Sequence, residues 1–185
     1  MANTFFTSDT HFGHQRVLEL SKRPFHNVDE MNSALIENWN QVVGPNDTVY
    51  HLGDFGDTAM IHSLHGTILF LPGNYETKKD IESLSRHCQI LKPNTAIRVK
   101  GVRFQLVHEP EEATPSDEFF SGKPRVFYLF GHIHKLQMVK RNGLNVGVDC
   151  HNFRPISIEE VLFYREAILN HYDENVFMQR LGESE

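Results

Sequence analysis

The chain has 185 residues, a formal net charge of −6 and two cysteines, and 39% of its residues are hydrophobic. This size and composition predict a single globular domain over residues 1–185 and exclude a disordered chain. The acidic balance argues against tight nonspecific binding to duplex DNA or to anionic lipid. Cys88 and Cys150 form no CxxC motif, and neither a signal peptide nor a membrane-spanning run is present, so we expect a cytoplasmic protein.

The first half of the chain predicts strands that alternate with helices. In chain order, the predicted elements are a strand over residues 3–8, a short helix after His14, a helix from about Val28 to Val42, a strand over 48–53, a helix over 59–64, a strand over 67–71 and a helix over 78–87. In the longest helix the apolar residues follow helical spacing, and Asp29 is the expected N-cap. This β-α-β order predicts a parallel sheet with crossover helices.

The second half of the chain predicts a hairpin, further strands and a terminal helix. Residues 97–107 predict a hairpin that turns at Gly101, and residues 126–130 and 144–148 predict two strands. Ser157 and Glu160 match a capping box at the start of a last helix at about 158–172. Residues 109–123 form a long polar insertion, which is typical of a lid or a mobile loop.

Five apolar runs each end in residues that can bind a hard metal ion. These residues are Asp9, His11, Asp54, Asn74, His108, His132 and His134. Because the carboxyl ends of parallel strands meet at one edge of a sheet, we expect these side chains to lie close together. In extended backbone, residues two apart such as Asp9 and His11 project to the same side. Seven N and O ligands exceed one tetrahedral site and fit two metals that share a carboxylate.

The order of these motifs resembles that of the calcineurin-like metallophosphoesterases. The motifs are Asp-x-His, Gly-Asp, Gly-Asn, an isolated His and Gly-His-x-His, and the resemblance covers roughly residues 3–155. It implies an α/β fold in which a β-sandwich is flanked by helices in an αββα arrangement. It also implies that Asp54 bridges two metal ions. The implied ligands of the first ion are Asp9, His11, Asp54 and His134, and those of the second are Asp54, Asn74, His108 and His132.

The resemblance implies a phosphoric ester hydrolase in which a hydroxide that bridges two divalent ions attacks phosphorus. The mixed N and O ligands favour Mn, Fe, Zn, Ni or Co over Mg or Ca. We expect a small phosphorylated substrate such as a nucleotide, as a monoester or a diester. The alternatives are a nuclease that acts on short nucleic acid and a non-catalytic scaffold that binds protein partners; the acidic balance and the lack of an extra domain disfavour duplex cleavage.

One position departs from the family pattern. Many members carry His directly after Gly-Asn, where it protonates the leaving group, whereas this chain has Tyr75 followed by Glu76. Tyr75 is one candidate proton donor and His14, near a predicted helix start, is another. A third alternative is that no protein acid is needed because the leaving group is already good, which favours activated diesters.

Other polar residues are expected to be structural or exposed. His51 lies within a predicted strand and is expected to be structural, whereas His151 is expected at the surface or at the rim of the site. Arg23 is expected to be a solvated charge. Asp57 is expected to cap the helix that follows it rather than to bind metal.

Overall fold

The structure of the protein is a computed structural model, which describes residues 2–112, 126–140 and 142–171. Within these residues the chain forms two five-stranded sheets. The strands are β1 Thr4–Thr7, β2 Thr48–His51, β3 Thr67–Phe70, β4 Gln89–Ile90, β5 Thr95–Val99, β6 Val102–Leu106, β7 Phe127–Phe130, β8 Val139–Lys140, β9 Gly143–Asn145 and β10 Ile156–Ser157. The α-helices are α1 Gln15–Leu20, α2 Val28–Val42, α3 Lys78–Leu84 and α4 Ile158–His171.

The first sheet has the strand order β10-β1-β2-β3-β4. Its strands β1 to β4 are parallel, with Phe5 opposite Val49 and Val49 opposite Ile68, and β10 joins the edge antiparallel to β1. This confirms the parallel sheet predicted from the strand-helix alternation. All the loops that leave β1, β2 and β3 therefore emerge at one edge.

The second sheet has the strand order β5-β6-β7-β9-β8. Strands β5 and β6 form the predicted hairpin, whose turn places Lys100 and Gly101 in the left-handed region at φ 47° and 80°. Strands β6, β7 and β9 are parallel to one another, and β8 is antiparallel to β9. The loops after β6 and β7 therefore also share an edge.

Alternation along the strands builds two core layers. In β1, Phe5 packs with α1, α2 and α3 on the outer face, whereas Phe6 belongs to a second cluster that includes residues of both sheets. The rings of Phe6 and Phe104, one from each sheet, have centroids 6.1 Å apart. Helix α4 adds Ile158 and Val161 to this inner cluster. The expected β-sandwich flanked by helices is confirmed.

Side-chain hydrogen bonds cap the starts of the helices, and the sequence predicted only some of the capping residues. Helix α2 has the predicted bounds, but the prediction of Asp29 as its cap is wrong, because the Asn27 side chain accepts a hydrogen bond from the backbone N–H of Glu30. The helix predicted over residues 59–64 is a 3-10 helix, Thr58–Ser63, and Asp57 caps it as expected. The capping box at the start of α4 is confirmed, since Ser157 and Glu160 bond to each other's backbone N–H.

Two further expectations from the sequence concern the polar insertion and membrane-spanning helices. The polar insertion begins with a 3-10 turn over Pro110–Glu112, and its residues 113–123 lie outside the described residues. Within the described part of the chain, no helix has the length and apolar character needed to cross a membrane.

Candidate metal centre

The sequence-predicted ligands gather in two adjacent clusters where the strands of both sheets end. In the first cluster, one ligand atom from each of Asp9, His11 and His134 lies within 4.8 Å of the others. In the second cluster, the same holds for three further side chains at the same limit of 4.8 Å. These side chains are Asp54, His108 and His132.

Asp54 and Asn74 complete the arrangement. Oδ2 of Asp54 lies 3.5 Å from Nε2 of His11 and 3.4 Å from Nε2 of His108, and so this carboxylate of the second cluster also faces the first. Oδ1 of Asn74 lies 2.9 Å from Nε2 of His108 and 3.1 Å from Nδ1 of His132, which places the amide in the second cluster. The fold thus brings all seven predicted side chains together.

Five of these seven residues have left-handed backbone, whereas extended backbone was expected for the pairs Asp9 with His11 and His132 with His134. Their φ angles are 58° at Asp9, 49° at His11, 59° at Asp54, 72° at His132 and 50° at His134. Residues other than glycine rarely adopt this region, and it is concentrated at functional sites where the surrounding structure enforces it. The expectation that Asp9 and His11 converge through an extended segment is therefore wrong, because the chain turns sharply at each of them.

A glycine permits the closest approach in the first cluster. A Cβ atom on Gly131 would lie 2.1 Å from Oγ of Ser8 and 2.5 Å from Oδ2 of Asp9. The backbone N–H of His132, the next residue, donates to both carboxylate oxygens of Asp9 at 3.0 Å. Any side chain at position 131 would displace this carboxylate.

Burial shifts the pKa values of two residues in the first cluster. It raises the pKa of the fully buried Asp9 carboxyl to about 6, even though His108 and His134 favour the charged form. It lowers the pKa of His11 to about 3, so that this imidazole is neutral and can act as a ligand. Among the described residues, the buried Nε2 atom of His11 has no hydrogen-bond partner.

In the second cluster, the pKa of a histidine is raised rather than lowered. Burial opposes the charged form of His108, but its hydrogen bond and charge interaction with Asp54 outweigh this and raise the pKa of His108 to about 9. The same contacts lower the pKa of Asp54 against the opposing effect of burial. Nδ1 of His108 lies 2.6 Å from the Leu52 carbonyl oxygen, to which its N–H donates, and so Nε2 faces the cluster.

These features fit a pair of divalent metal ions. Each cluster supplies one carboxylate and two imidazoles, and Asn74 adds a neutral oxygen, which is a donor set typical of borderline transition metals. A buried carboxylate at Asp9 and an orphaned imidazole nitrogen at His11 are both costly without a cation beside them. Bound ions would satisfy both groups.

A buried ion pair supports His134 and was missed in the sequence. Oδ2 of Asp149 lies 2.7 Å from Nδ1 of His134, and Arg23 donates to both oxygens of the same carboxylate at 2.9 and 2.8 Å. Arg23 also donates to the carbonyl oxygens of Asp9 and Thr10. The expectation of a solvated Arg23 is wrong, because this side chain is buried and holds the loop that carries Asp9.

Asp149 carried a sequence signal that was overlooked. Like the other site residues it ends an apolar run, Gly-Leu-Asn-Val-Gly-Val, which includes β9. Its hydrogen bonds to His134 and Arg23 lower its pKa in spite of its burial. The carboxylate therefore stays charged and fixes His134 with Nε2 free to bind a metal.

Glu76 was also missed as a site residue. Its carboxylate accepts hydrogen bonds from the backbone N–H groups of Asp54, Phe55 and Gly73, at 3.1, 2.8 and 2.6 Å. It ties the loop of Asp54 to the loop of Asn74. Burial raises the pKa of Glu76 although these three donors oppose the shift.

The two candidate proton donors lie at the mouth of the site. Tyr75 is half exposed, its ring centroid is 5.0 Å from that of His11, and its backbone N–H donates to Oδ1 of Asp54 at 3.0 Å. Nδ1 of His14 lies 3.2 Å from Nδ1 of His11. Both side chains lie next to His11 of the first cluster, and the donor role of either stays a prediction.

Two further histidines lie near the site. His51 is buried, with Nε2 3.0 Å from the hydroxyl of Thr10, in agreement with a structural role. The expectation that His151 lies at the surface or rim is wrong. It is buried, and its Nε2 lies 2.7 Å from the carbonyl oxygen of Asn145.

Comparison with known proteins places this arrangement in a family. The chain is 30% identical over 177 residues to an uncharacterized protein of Methanocaldococcus jannaschii, covering 88% of this chain and 90% of the relative. It is 45% identical over 76 residues to the gene 66 protein of Mycobacterium phage L5, a match that spans 40% of this chain and 36% of the phage protein. The solved structure of a protein of unknown function from Aquifex aeolicus superposes with a TM-score of 0.72 at 26% identity, covering 89% of this chain and all of that one.

The family model agrees with the site. The model of the calcineurin-like phosphoesterase superfamily domain matches residues 3–151, a range that begins just before β1 and includes every residue of the two clusters as well as Asp149. The chain therefore belongs to the calcineurin-like phosphoesterase superfamily.

Proposed function

We propose that this chain is a phosphoric ester hydrolase that uses two divalent metal ions and acts on a small phosphorylated compound such as a nucleotide. The observation that carries the proposal is the position of Asp54. One carboxylate oxygen lies 3.5 Å from an imidazole of the first cluster and 3.4 Å from one of the second. A carboxylate in this position can be shared by two ions, as two-metal hydrolases require.

The proposed ligands divide between the two clusters. Asp9, His11 and His134 hold one ion, and His108, His132 and Asn74 hold the other, with Asp54 shared. When bound, manganese or a similar divalent ion would lower the pKa of a water and neutralise charge on the phosphoryl oxygens. Arg23 and Asp149 orient His134, and Glu76 holds the loops of Asp54 and Asn74 in place.

The overall charge of the chain and the cavities beside the site support a small substrate rather than duplex nucleic acid. The chain carries a formal charge of −6, which repels a long polyanion. His14 and Tyr75 line two neighbouring cavities, one of which is also lined by His11 and His134 of the first cluster. This supports a phosphomonoester or phosphodiester of modest size as substrate.

Metal-dependent hydrolysis by wild type and Asp54→Asn tests the proposal. Aryl phosphomonoesters and bis-aryl phosphodiesters are assayed with Mn²⁺, with EDTA, and with the variant. Asp29→Asn is the matched control, because Asp29 is exposed in the first turn of α2 and lines neither cavity. We expect turnover with Mn²⁺ that EDTA abolishes and that Asp54→Asn lowers by at least about 100-fold. The absence of turnover of every ester in wild type would favour a protein-binding scaffold, and turnover only of short oligonucleotides would favour a nuclease.

A further inference from the structure

An open cavity of about 370 Å³ lies beside the first cluster. His11 and His134 line it on the side of the cluster, and Arg16, Val17 and Leu20 line it on the side of α1. We call it the α1 cavity. The α1 cavity is therefore directly next to the position where the first cluster would hold a phosphoryl group.

Two large apolar side chains that line the α1 cavity are exposed to solvent. Leu20 is 62% exposed and Tyr75 is 50% exposed, and both line this cavity. They are two of the four large apolar side chains that are exposed among the described residues. Single exposed apolar residues are ordinary on protein surfaces, but two that share a cavity beside a metal centre offer a surface that an apolar ligand can cover.

A second cavity shows the opposite chemistry. It has a volume of about 390 Å³ and lies across His14 and Tyr75 from the α1 cavity. Three carboxylates line it, those of Asp57, Glu76 and Asp80, together with one cation, Lys79. The described residues that line the α1 cavity include the cation Arg16 and no carboxylate. A flat ring is favoured in the α1 cavity because apolar side chains can cover it and a guanidinium can stack on its face.

We infer that the α1 cavity is a subsite for a flat aromatic ring, of aryl or nucleobase type, carried by the phosphoric ester. The inference rests on the proposed function, because the subsite would select which ester reaches the metal centre. Leu20, Tyr75 and Arg16 are the residues that contact the ring.

Binding of two phosphonates to the Mn²⁺-loaded protein tests the subsite. Phenylphosphonate and methylphosphonate share a phosphonate group that cannot be hydrolysed, and they differ only in the ring. Titration calorimetry gives both dissociation constants. We expect wild type to bind phenylphosphonate roughly tenfold more tightly than methylphosphonate, because the ring removes apolar surface from water.

Variants of Leu20 test whether the α1 cavity is responsible for the preference for phenylphosphonate. Leu20→Ser should reduce the preference for the phenyl ligand by at least about threefold and leave methylphosphonate binding unchanged, because the hydroxyl removes apolar contact. Leu20→Met should keep the preference, since it conserves volume and apolar character. Phe163→Ser is the matched control, because Phe163 is an exposed apolar residue of α4 that does not line the α1 cavity.

The outcomes separate this inference from the proposed function. Equal affinity of wild type for both phosphonates overturns the subsite and leaves the metal centre intact, because methylphosphonate still binds. An equal loss of both ligands in Leu20→Ser, with Leu20→Met normal, overturns it too, because the leucine then supports the fold and not the ring. If neither phosphonate binds to wild type and no ester is hydrolysed, the proposed function fails and the subsite fails with it.

Discussion

The Nδ1 atom of His134 lies 2.7 Å from the Oδ2 atom of Asp149, and Arg23 donates to both oxygens of the same carboxylate. We expect Asp149→Asn to weaken metal binding by about 10–100-fold, because His134 loses the charge that fixes its ring and tautomer. The free energy of unfolding should also fall by about 3–5 kcal/mol, because a buried guanidinium loses its counter-charge.

Titration with a chelating dye and chemical denaturation measure these two effects. The control is Glu159→Gln, which removes an exposed ion pair with Lys100 and should change neither quantity appreciably. If Asp149→Asn binds metal as tightly as wild type, the carboxylate does not orient His134.

Metal affinity should rise with pH up to about 9. The pKa of His108 in the metal-free protein is raised to about 9 by Asp54, so that a proton occupies this imidazole at neutral pH and competes with the metal. Below about pH 6 the raised pKa of Asp9 adds a second competing proton. We expect affinity to rise about tenfold per pH unit between pH 6 and 9, and more steeply below pH 6.

The raised pKa of His108 also makes the stability of the metal-free protein depend on pH. Protonated His108 stabilises the fold fully below its unfolded pKa near 6.5, and this contribution is lost as the pH rises towards about 9. Added metal should therefore raise the unfolding midpoint more at pH 9 than at pH 6. A metal affinity that does not change between pH 6.5 and 9 would contradict this protonation of His108.

Gly131→Ala should disable the first cluster. Its Cβ atom would lie 2.5 Å from Oδ2 of Asp9, so that the carboxylate must move and one metal is lost. We expect the free energy of unfolding to fall by about 1–3 kcal/mol. The metal-to-protein ratio, measured by mass spectrometry under native conditions, should fall from two to one.

Gly101→Ala is the control for this steric effect. Gly101 differs from Gly131 in having a positive φ, and nothing lies within 4 Å of the position a Cβ would take there. The change should therefore cost stability without changing the metal-to-protein ratio. Two metals bound to Gly131→Ala would mean that Asp9 can shift and still act as a ligand.

Tyr75 should make the enzyme depend on good leaving groups. Because a phenol is a weaker proton donor than an imidazolium near neutral pH, wild type should hydrolyse bis-p-nitrophenyl phosphate much faster than an alkyl phosphomonoester. Tyr75→His should raise the rate on the alkyl ester by about tenfold. Tyr75→Phe should leave the rate on the activated diester within about twofold of wild type. Comparable wild-type rates on both esters would contradict the expectation.

The ligands could be found in the sequence because each one ends an apolar run. That local pattern identifies the strand, and the parallel sheet then brings the strand ends together, as it does for Asp9, Asp54 and Asn74. The helical stripe of α2 is equally local, and its bounds were predicted correctly. Features that a short stretch of sequence determines could therefore be predicted.

The supporting residues could not be found in this way, because their roles depend on distant contacts. Arg23 meets Asp149 across 126 positions of sequence, and Glu76 meets Phe55 across 21. The left-handed backbone at five ligands is likewise enforced by tertiary contacts and not by residue preference. Asn27 was missed as a cap for a different reason, since both Asn27 and Asp29 are suitable cap residues by type.

The bond between Arg23 and Asp149 also orders events during synthesis of the chain. Arg23 holds the carbonyl oxygens of Asp9 and Thr10, but its guanidinium has its buried counter-charge only once Asp149 is present. The first cluster also takes His134 from late in the chain. The chain must therefore be synthesised as far as Asp149 before the ion pair that supports the first cluster can form.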